Sequence, residues 1–475
     1  MTDHIIRLAC DAQNYPWGKV GNDSIISQFG PEASGNDWKF DENTPYAELW
    51  MTTHPNLPSK LYAHPSTLLS KHLYEHPELL GVVPQKFPKP VEGKKDKHVP
   101  FVFKILTCKQ ALPLQIHPDK TLAAQLHARD PAKFPDANHK PEIAVALTPF
   151  LGFAGFAPFD RIESNLRSIP ELAQLLGRFA SYEAYLRDPT SKDKVKALVK
   201  DILGMNQKSS GVLESAKDAI KAVTGLAREP ERERGGGDAQ GVVRSLIERI
   251  ERDGAGEVFG GTMWDQEQGQ RIERALKKTQ EYYAGDPGII VACFFMNLIE
   301  LKPGEAMYVP EDGLHAWLDG QIIELMANSD DVLNAAFIEP GEKDDLNIFI
   351  DAMRCDPRPA ETYKIKRARW SLSEGAGAEV YQVPAEEFSL YHVAGSESTS
   401  TTIKPLNGPT IAILTSVPST GTATITDKTA NKTIEVNKGQ VYFVAAGTTV
   451  EFGAGVEAWA AFYDDQVREQ TGDMK

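Results

Sequence analysis

The sequence is poor in cysteine and does not group the cysteines it has. Its 475 residues include four, Cys10, Cys108, Cys293 and Cys355, which lie far apart and form no CxxC motif. This spacing excludes a disulfide framework and a cysteine-based zinc ribbon. It predicts reduced, buried thiols and hence a cytoplasmic protein.

Long apolar runs are also missing. The most apolar stretch, Ile289 to Met296, ends at Asn297, whereas a membrane helix needs about 18–20 apolar residues. Asp3, Arg7 and Asp11 interrupt the N-terminal stretch, so we expect no secretory signal peptide. The sequence therefore predicts no membrane partner.

Positive charge is not in excess. The chain has 51 lysine and arginine residues against 66 aspartate and glutamate residues, a net charge of −15. Nucleic acid would be repelled by such a chain, so we expect no nucleic-acid partner. What is present is a globular composition, 41% hydrophobic and 25% charged, over a length that predicts roughly two to four domains.

Strand-like segments occupy both ends of the chain. Short apolar runs broken by turns, such as 100–106, characterise residues 1–157. After Gly288 the apolar run Ile289 to Leu301 predicts another strand. The last hundred residues are rich in Thr, Val and Gly and predict short strands throughout.

The middle of the chain, 158–284, has helical spacing instead. Apolar residues recur at helical intervals in 242–250, with charged residues between them, and 216–227 behaves similarly. The charged, glycine-rich stretch 228–237 predicts a loop. We therefore predict an α-helical block inserted between β regions.

Two segments, the second of them near the C-terminus, have similar sequences. Gly304 to Pro310 (GEAMYVP) resembles Gly439 to Ala445 (GQVYFVA), and each opens a strand after a glycine turn. This similarity is consistent with two β-sandwich or jelly-roll domains of related build. Only the first copy is followed by a histidine, His315, so we expect any metal chemistry in the first β domain.

Four side chains of metal-binding type follow strand-like segments. Gln115 and His117 are two residues apart, which places them on one face of a strand. Glu142 and His315 follow in other apolar segments. Spacing alone makes this set a weak candidate, because isolated histidines are more often ordinary surface or core residues.

Longer segments resemble those of a known family. They are QNYPWGKVGNDS near the start, ELWMTTHP at 48–55, PFVFKILTCKQALPLQIHPDK at 100–120, NHKPEIAVAL at 138–147 and LHAWLDGQIIELMANSD at 314–330. In this order they resemble the signature segments of type I phosphomannose isomerases, over roughly residues 5–157 and 285–350.

The resemblance implies a fold and an activity. The fold class is mainly β with a helical insertion: a catalytic cupin-like β domain from 1–157 with 285–355, a helical domain at 158–284, and a jelly-roll-like β domain at 356–475. The implied activity is zinc-dependent interconversion of mannose 6-phosphate and fructose 6-phosphate, which supplies mannose for GDP-mannose synthesis. The implied cofactor is one Zn²⁺ per chain, and the implied state is a cytoplasmic monomer whose partner is a small sugar phosphate.

The resemblance also implies roles for individual residues. The zinc ligands would be Gln115, His117, Glu142 and His315, whose charges leave the site near +1 and Lewis acidic, with an open position for substrate. The proton-transfer residue would be Glu324. The residues at the substrate site would be Lys140, Trp17, Glu48 and Lys104.

The departures from the family concentrate where substrate is handled. Asn334 stands at the position of the family's catalytic arginine, Pro340 at a lysine position, and Pro113 at the serine before the glutamine ligand. Gly313-Leu314 replaces a glutamate-proline pair. Asparagine cannot supply the charged, forked donor that grips a phosphate dianion.

Three readings of these departures stay open. Lys140, Lys104 or Lys343 takes over the phosphate in a working isomerase. Alternatively, the chain is a diverged paralogue that isomerises or epimerises a non-phosphorylated sugar. The third reading is a metal-binding protein with weak or no turnover that serves as a sugar sensor.

Overall fold

The computed structural model describes residues 3–35, 38–87, 97–206 and 239–466. The predicted helix at 216–227 and the predicted loop at 228–237 lie outside the described residues. Strands dominate both ends of the described chain, and helices are concentrated in its middle. The protein is thus mainly β with additional helices.

The strands, numbered in chain order, are β1 Ile5–Ala9, β2 Ala12–Gln13, β3 Lys19–Val20, β4 Pro45–Tyr46, β5 Glu48–Met51, β6 Lys60–Leu61, β7 His64–Leu68, β8 Phe101–Cys108, β9 Leu114–Ile116, β10 Glu142–Ala146, β11 Phe150–Phe156, β12 Met296–Leu301, β13 Ala306–Val309, β14 His315–Ala327, β15 Leu333–Ala336, β16 Lys364–Ile365, β17 Arg367–Arg369, β18 Ser373–Gly375, β19 Ala378–Tyr381, β20 Ser389–Ala394, β21 Thr401–Ile403, β22 Thr410–Ser416, β23 Thr424–Asp427, β24 Lys432–Glu435, β25 Val441–Val444, β26 Val450–Phe452 and β27 Glu457–Phe462.

The α-helices are α1 Ile25–Ala33, α2 Leu69–Glu75, α3 Val83–Lys86, α4 Lys120–Arg129, α5 Phe159–Ser168, α6 Pro170–Leu176, α7 Ala180–Arg187, α8 Lys192–Leu203, α9 Ala239–Asp253, α10 Ala255–Val258, α11 Gln266–Tyr282, α12 Gly288–Phe295 and α13 Leu346–Ala352. Short 3₁₀ turns occur at Gly21–Asp23, Pro77–Leu80, Gly204–Asn206, Pro340–Glu342 and Ala360–Tyr363.

Two large sheets pack face to face. The first has the central order β16-β13-β10-β14-β8-β5-β2, and the second has the order β17-β19-β20-β27-β22-β25-β1-β6-β7. Side chains alternate between faces along a strand. Phe103 and Ile105 of β8 accordingly point into a core shared with Ile411 and Phe443 of the second sheet. Lys104, between them, points to the opposite face of the first sheet.

The second sheet joins the two ends of the chain. β1 pairs with β25 in antiparallel register, Ile5 opposite Val444, and β6 and β7 extend the sheet beyond β1. A third sheet, β18-β21-β26-β23-β24, covers the other face of the second through a further apolar core. The N-terminal strand therefore takes part in the core of the C-terminal β region.

A bend in β14 joins the first sheet to a smaller set of strands. Gly320 has φ of +123°, and a Cβ there would lie 2.6 Å from the carbonyl oxygen of Pro149. Glycine is required because it alone tolerates this backbone and this close approach. Before the bend β14 pairs with β9 and β11, and after it with β8 and β10. His315 and Glu324 consequently lie on opposite sides of one bend.

The apolar run after residue 288 corrects a prediction. We predicted a strand from Ile289 to Leu301, but Gly288–Phe295 is helix α12 and only Met296–Leu301 is a strand. All eight residues of α12 are buried, so the run is apolar on every side. A continuous apolar run has no periodicity, and it therefore cannot distinguish a buried helix from a buried strand.

The cysteine prediction is confirmed. All four cysteines are unpaired and buried. Burial raises the pKa of Cys10 to about 12, so its thiol stays protonated at neutral pH. Within the described residues, none of the helices has both the length and the apolar character that a membrane crossing demands.

Candidate metal centre

Three buried side chains converge where β9, β10 and β14 meet. His117 follows β9, Glu142 opens β10 and His315 opens β14. Their ligand atoms all lie within 4.8 Å of one another. Nε2 of His117 is 3.2 Å from Oε1 of Glu142, and Nε2 of His315 is 3.4 Å from Oε2. Each residue is no more than 3% exposed.

Backbone carbonyls orient both imidazoles. Nδ1 of His117 donates to the carbonyl oxygen of Asp331 at 3.0 Å, and Nδ1 of His315 donates to that of Gly313 at 2.9 Å. A carbonyl can only accept, so Nδ1 carries the proton and the Nε2 lone pair faces Glu142. Both buried Nε2 atoms lack a hydrogen-bond partner among the described residues. This is the arrangement expected of metal-ligating histidines.

The charges in this cluster also suit a divalent cation. Burial, assisted by the charge of Lys140, lowers the pKa of His117 to about 4. Burial alone would raise the pKa of Glu142, but its contacts with His117 and His315 hold it well below the ordinary value. The cluster thus offers two imidazole nitrogens and one carboxylate. Such donors fit zinc.

The strand register places Gln115 next to the cluster of His117, Glu142 and His315. Gln115 pairs with His315 across β9 and β14, and with Asn334 across β9 and β15. Directly paired residues share a face of a sheet, so the side chains of Gln115, His315 and Asn334 lie on one face. Gln115 is half-buried.

A buried charged network lies on the same face of the first sheet. Nζ of Lys104 is 2.9 Å from Oε2 of Glu324 and 3.2 Å from Oε1 of Glu48. All three residues are at most 6% exposed. In the β10–β14 register Ala144 opposes Glu324, two residues along from Glu142. The network therefore continues the face that carries Glu142.

Two indoles complete the hydrogen bonding of the carboxylates. Nε1 of Trp317 donates to Oε1 of Glu324 at 2.8 Å, and Nε1 of Trp50 donates to Oε2 of Glu48 at 2.9 Å. The ammonium of Lys104 also lies 4.7 Å from the centre of the Trp50 ring. Each carboxylate oxygen in the network thus has a donor.

Lys104 and Glu324 shift each other's pKa. Burial raises the pKa of Glu324, and Lys104 only partly offsets that effect. Burial lowers the pKa of Lys104, but Glu324 and Glu48 more than reverse this, and the net shift is upward. Lys104 therefore stays protonated beside a carboxyl whose proton affinity is raised, as a proton-transfer group requires.

The remaining predicted substrate residues lie at different depths. Lys140 is buried, and its pKa is lowered chiefly by that burial. Trp17 is half-buried against the apolar cluster that contains Trp317. Tyr15, which is exposed, stacks on Trp17 with ring centres 5.4 Å apart.

The surroundings of Asn334 include the carboxylate of Asp344, which is ion-paired with Lys133. The backbone N–H of Asn334 donates to Oδ2 of Asp344 at 2.6 Å, and its side-chain Oδ1 is buried without a partner there. Lys343, considered above as a replacement cation, is instead paired with Asp286 at 3.1 Å. The side chain of Pro340 lies outside the described residues.

Sequence reasoning missed the two indoles and the carbonyls behind the histidines. Trp317 and Trp50 stand two residues after His315 and Glu48, so strand alternation places each on the same face as the predicted residue. That signal was available. Nothing in the sequence indicates that the carbonyl of Asp331 would orient His117, because the contact spans 214 residues.

Comparison with known proteins gives one consistent result. Residues 5–159 match the family model described as phosphomannose isomerase type I, catalytic domain. The chain is 33% identical to the mannose-6-phosphate isomerase of Candida albicans over 466 residues, 95% of this chain and 96% of that protein. It is 31% identical to the enzyme of the same name from Saccharomyces cerevisiae over 97% of this chain and 98% of that protein.

Solved structures share the fold. A crystal structure of a mutant phosphomannose isomerase from Salmonella typhimurium matches with a TM-score of 0.72 at 21% identity, over 97% of this chain and all of that chain. A zinc-bound mannose 6-phosphate isomerase matches with a TM-score of 0.70 at 22% identity, with the same coverage.

Proposed function

Because the chain belongs to the type I phosphomannose isomerase family, we propose that it is a zinc-dependent isomerase that interconverts mannose 6-phosphate and fructose 6-phosphate. In the cell this reaction would supply mannose for GDP-mannose synthesis. The observation that carries the proposal is the convergence of His117, Glu142 and His315, whose buried ligand atoms face one another beside the Glu324–Lys104 pair.

We also propose a division of the chain into domains. The catalytic domain comprises 1–157 and 285–355 and is cupin-like, 158–284 is an inserted helical domain, and 356–475 is a jelly-roll-like domain. The concentration of helices between 159 and 295 supports the helical insertion, while β1, β6 and β7 extend the sheet of the C-terminal region. The protein acts as a cytoplasmic monomer with one Zn²⁺, and the unpaired cysteines are consistent with that compartment.

The metal would be held by His117, Glu142 and His315, with Gln115 as the fourth ligand. Zinc bound there supplies a Lewis acid that stabilises negative charge on the sugar oxygens at C1 and C2. The carbonyls of Asp331 and Gly313 keep the two imidazoles oriented for this task.

Glu324 moves the proton between the two carbons. Its carboxylate removes the proton from C2 of the aldose while negative charge develops on O1. The hydroxyl proton of O2 then passes to O1, and the same carboxyl group returns its proton to C1, which yields the ketose; the reverse reaction uses the same steps in the opposite order. Trp317 and Lys104 hold the carboxylate in place. The raised pKa of Glu324 favours accepting the proton.

Lys140 binds the anionic or oxygen-rich part of the substrate. Burial lowers the pKa of Lys140, so a ligand with negative charge would stabilise the protonated ammonium. A sugar phosphate carries both negative charge and acceptor oxygens. Glu48 and Trp50 stabilise the neighbouring Lys104 rather than contacting the phosphate themselves.

A second function is favoured by the surroundings of Asn334. The amide of Asn334 is neutral, and Lys343 and Lys133 are already paired with Asp286 and Asp344, so these side chains offer no unpaired positive charge to a dianion. Such an end suits a sugar hydroxyl. The alternative is therefore an isomerase for a non-phosphorylated sugar that uses the same metal and Glu324.

A coupled assay on the zinc-loaded protein distinguishes these functions. Turnover of mannose 6-phosphate that a chelator abolishes and added zinc restores would support the main proposal. Turnover of free mannose but not of its phosphate would support the alternative. Absence of turnover with either sugar, at full zinc loading, would contradict both and leave a binding role.

A further inference from the structure

A buried carboxylate of the C-terminal β region contacts the catalytic region from outside the metal centre. Glu387 lies between β19 and β20 and is 2% exposed. Its neighbours Ala385 and Phe388 are buried in the core between the two large sheets. Glu387 therefore lies between residues that are packed into this core.

The carboxylate of Glu387 contacts two segments that are distant in sequence. Oε1 is 2.8 Å from Nε2 of His139 and 3.4 Å from Nζ of Lys120. Burial alone would raise the pKa of Glu387, but the hydrogen bond from His139 and the charge of Lys120 hold it below the ordinary value. The carboxylate thus attracts both side chains although it is almost fully buried.

Each of these segments leads directly to a ligand of the proposed metal. Lys120 opens helix α4, three residues after His117, and His139 lies three residues before Glu142. Lys140, the buried ammonium of the substrate site, directly follows His139. A single oxygen atom of Glu387 therefore ties together the two chain segments that present His117 and Glu142.

We propose that Glu387 is a positioning residue, by which the C-terminal β region fixes the separation of His117 and Glu142 and the direction of Lys140. This inference rests on the proposed metal site. It adds a role for a part of the chain that contributes no ligand to that site. Without the negative charge, the hydrogen bond from Nε2 of His139 would lose its charge assistance and Lys120 would lose its ionic partner, so the segment 138–142 would be held less firmly.

The test measures zinc affinity by chelator competition, with Zn²⁺ alone and no sugar. Groups behind metal ligands typically contribute 10–100-fold to metal affinity, and Glu387 acts through the backbone of adjoining residues. We therefore expect Glu387→Gln to weaken zinc binding about tenfold. The matched control is Asp427→Asn, since Asp427 is a C-terminal carboxylate, 2% exposed, whose Oδ2 is 3.0 Å from Nδ1 of His4. The control should leave zinc affinity unchanged.

Two further variants separate positioning from general loss of stability. The double variant Glu387→Gln with His139→Gln should bind zinc no more weakly than the weaker single variant, because both changes act on the same contact. Lys120→Gln, at a side chain that is 53% exposed, should fold normally and weaken zinc binding about twofold.

The outcomes distinguish this inference from the proposed function. Wild-type protein that binds no zinc would contradict both. Wild-type protein that binds zinc as tightly as Glu387→Gln, or an equal loss in Asp427→Asn, would overturn the positioning role alone. A selective loss in Glu387→Gln, shared non-additively with His139→Gln, would establish it whatever sugar the enzyme uses.

Discussion

The metal cluster and the charged network lie on one continuous face but satisfy their polar atoms in opposite ways. In the cluster, both Nε2 atoms and Oε2 of Glu142 are buried without hydrogen-bond partners among the described residues. In the network, Glu48, Lys104 and Glu324 are paired with one another and with two indoles. The cluster is therefore prepared for an external group, whereas the network is balanced internally and sets the proton affinity of one carboxyl.

The largest expected effect comes from removing a ligand of the cluster. His117→Ala should abolish chelator-sensitive turnover and weaken zinc binding more than 100-fold, beyond the ~10–100-fold effect of groups behind ligands. Zinc content and steady-state kinetics measure it. The matched control is His392→Ala in the C-terminal region, where the imidazole pairs with Glu457. Equal zinc content in His117→Ala and wild type would contradict the role of the cluster.

Glu324→Gln should show that the charged network affects turnover without affecting zinc binding. The amide keeps the size of the side chain but cannot accept the proton, so kcat should fall roughly 10²–10⁴-fold. Zinc content should stay at the wild-type level because Glu324 is not a ligand. A fall in zinc content equal to the fall in kcat would show that the network and the cluster are one unit.

Lys104→Met should destabilise the network itself. It leaves Glu48 and Glu324 buried without their shared cation, and breaking a buried pair in this way costs about 3–5 kcal/mol. Denaturant unfolding measures the loss. Lys60→Met is the control, because its partner Asp11 and Lys60 itself are each about a third exposed, and such a pair contributes about 0–1 kcal/mol. Similar losses of unfolding free energy in the two variants would show that the buried network contributes no more to stability than a partly exposed ion pair.

The cluster also predicts how stability depends on pH in the metal-free protein. An unfolded histidine has a pKa near 6.5, whereas that of His117 is lowered to about 4 in the fold. The unfolded chain therefore binds the extra proton first, and stability falls as the pH drops from about 6.5 toward 4, by up to about 3 kcal/mol. Urea midpoints at pH 7 and pH 5 test this, and His117→Gln should flatten the dependence.

The smallest effect is expected at Asn334. Asn334→Arg should raise kcat/KM for mannose 6-phosphate about tenfold, because a charge-assisted contact with phosphate would replace a neutral one. Activity on free mannose should not change. Unchanged or lower activity on the phosphate would mean that the neighbouring Asp344 neutralises the new cation, or that this end binds no phosphate.

Much of the site was predictable because it rests on local patterns and on the resemblance. Gln115 and His117 share a strand face by their spacing, and the family segments indicated Glu142, His315 and Glu324. The pairing of β1 with β25 joins residues more than 400 positions apart, and no local pattern indicates it. The same holds for Lys343, which looked available in sequence but pairs with Asp286, 57 residues away.

The central claim is that His117, Glu142 and His315 hold one metal ion. Anomalous diffraction at the zinc edge, from crystals of the zinc-loaded protein, tests it most directly. The account predicts one peak per chain, about 2.0–2.2 Å from Nε2 of each histidine and from a carboxylate oxygen of Glu142. A peak elsewhere, or none at this place, would contradict it.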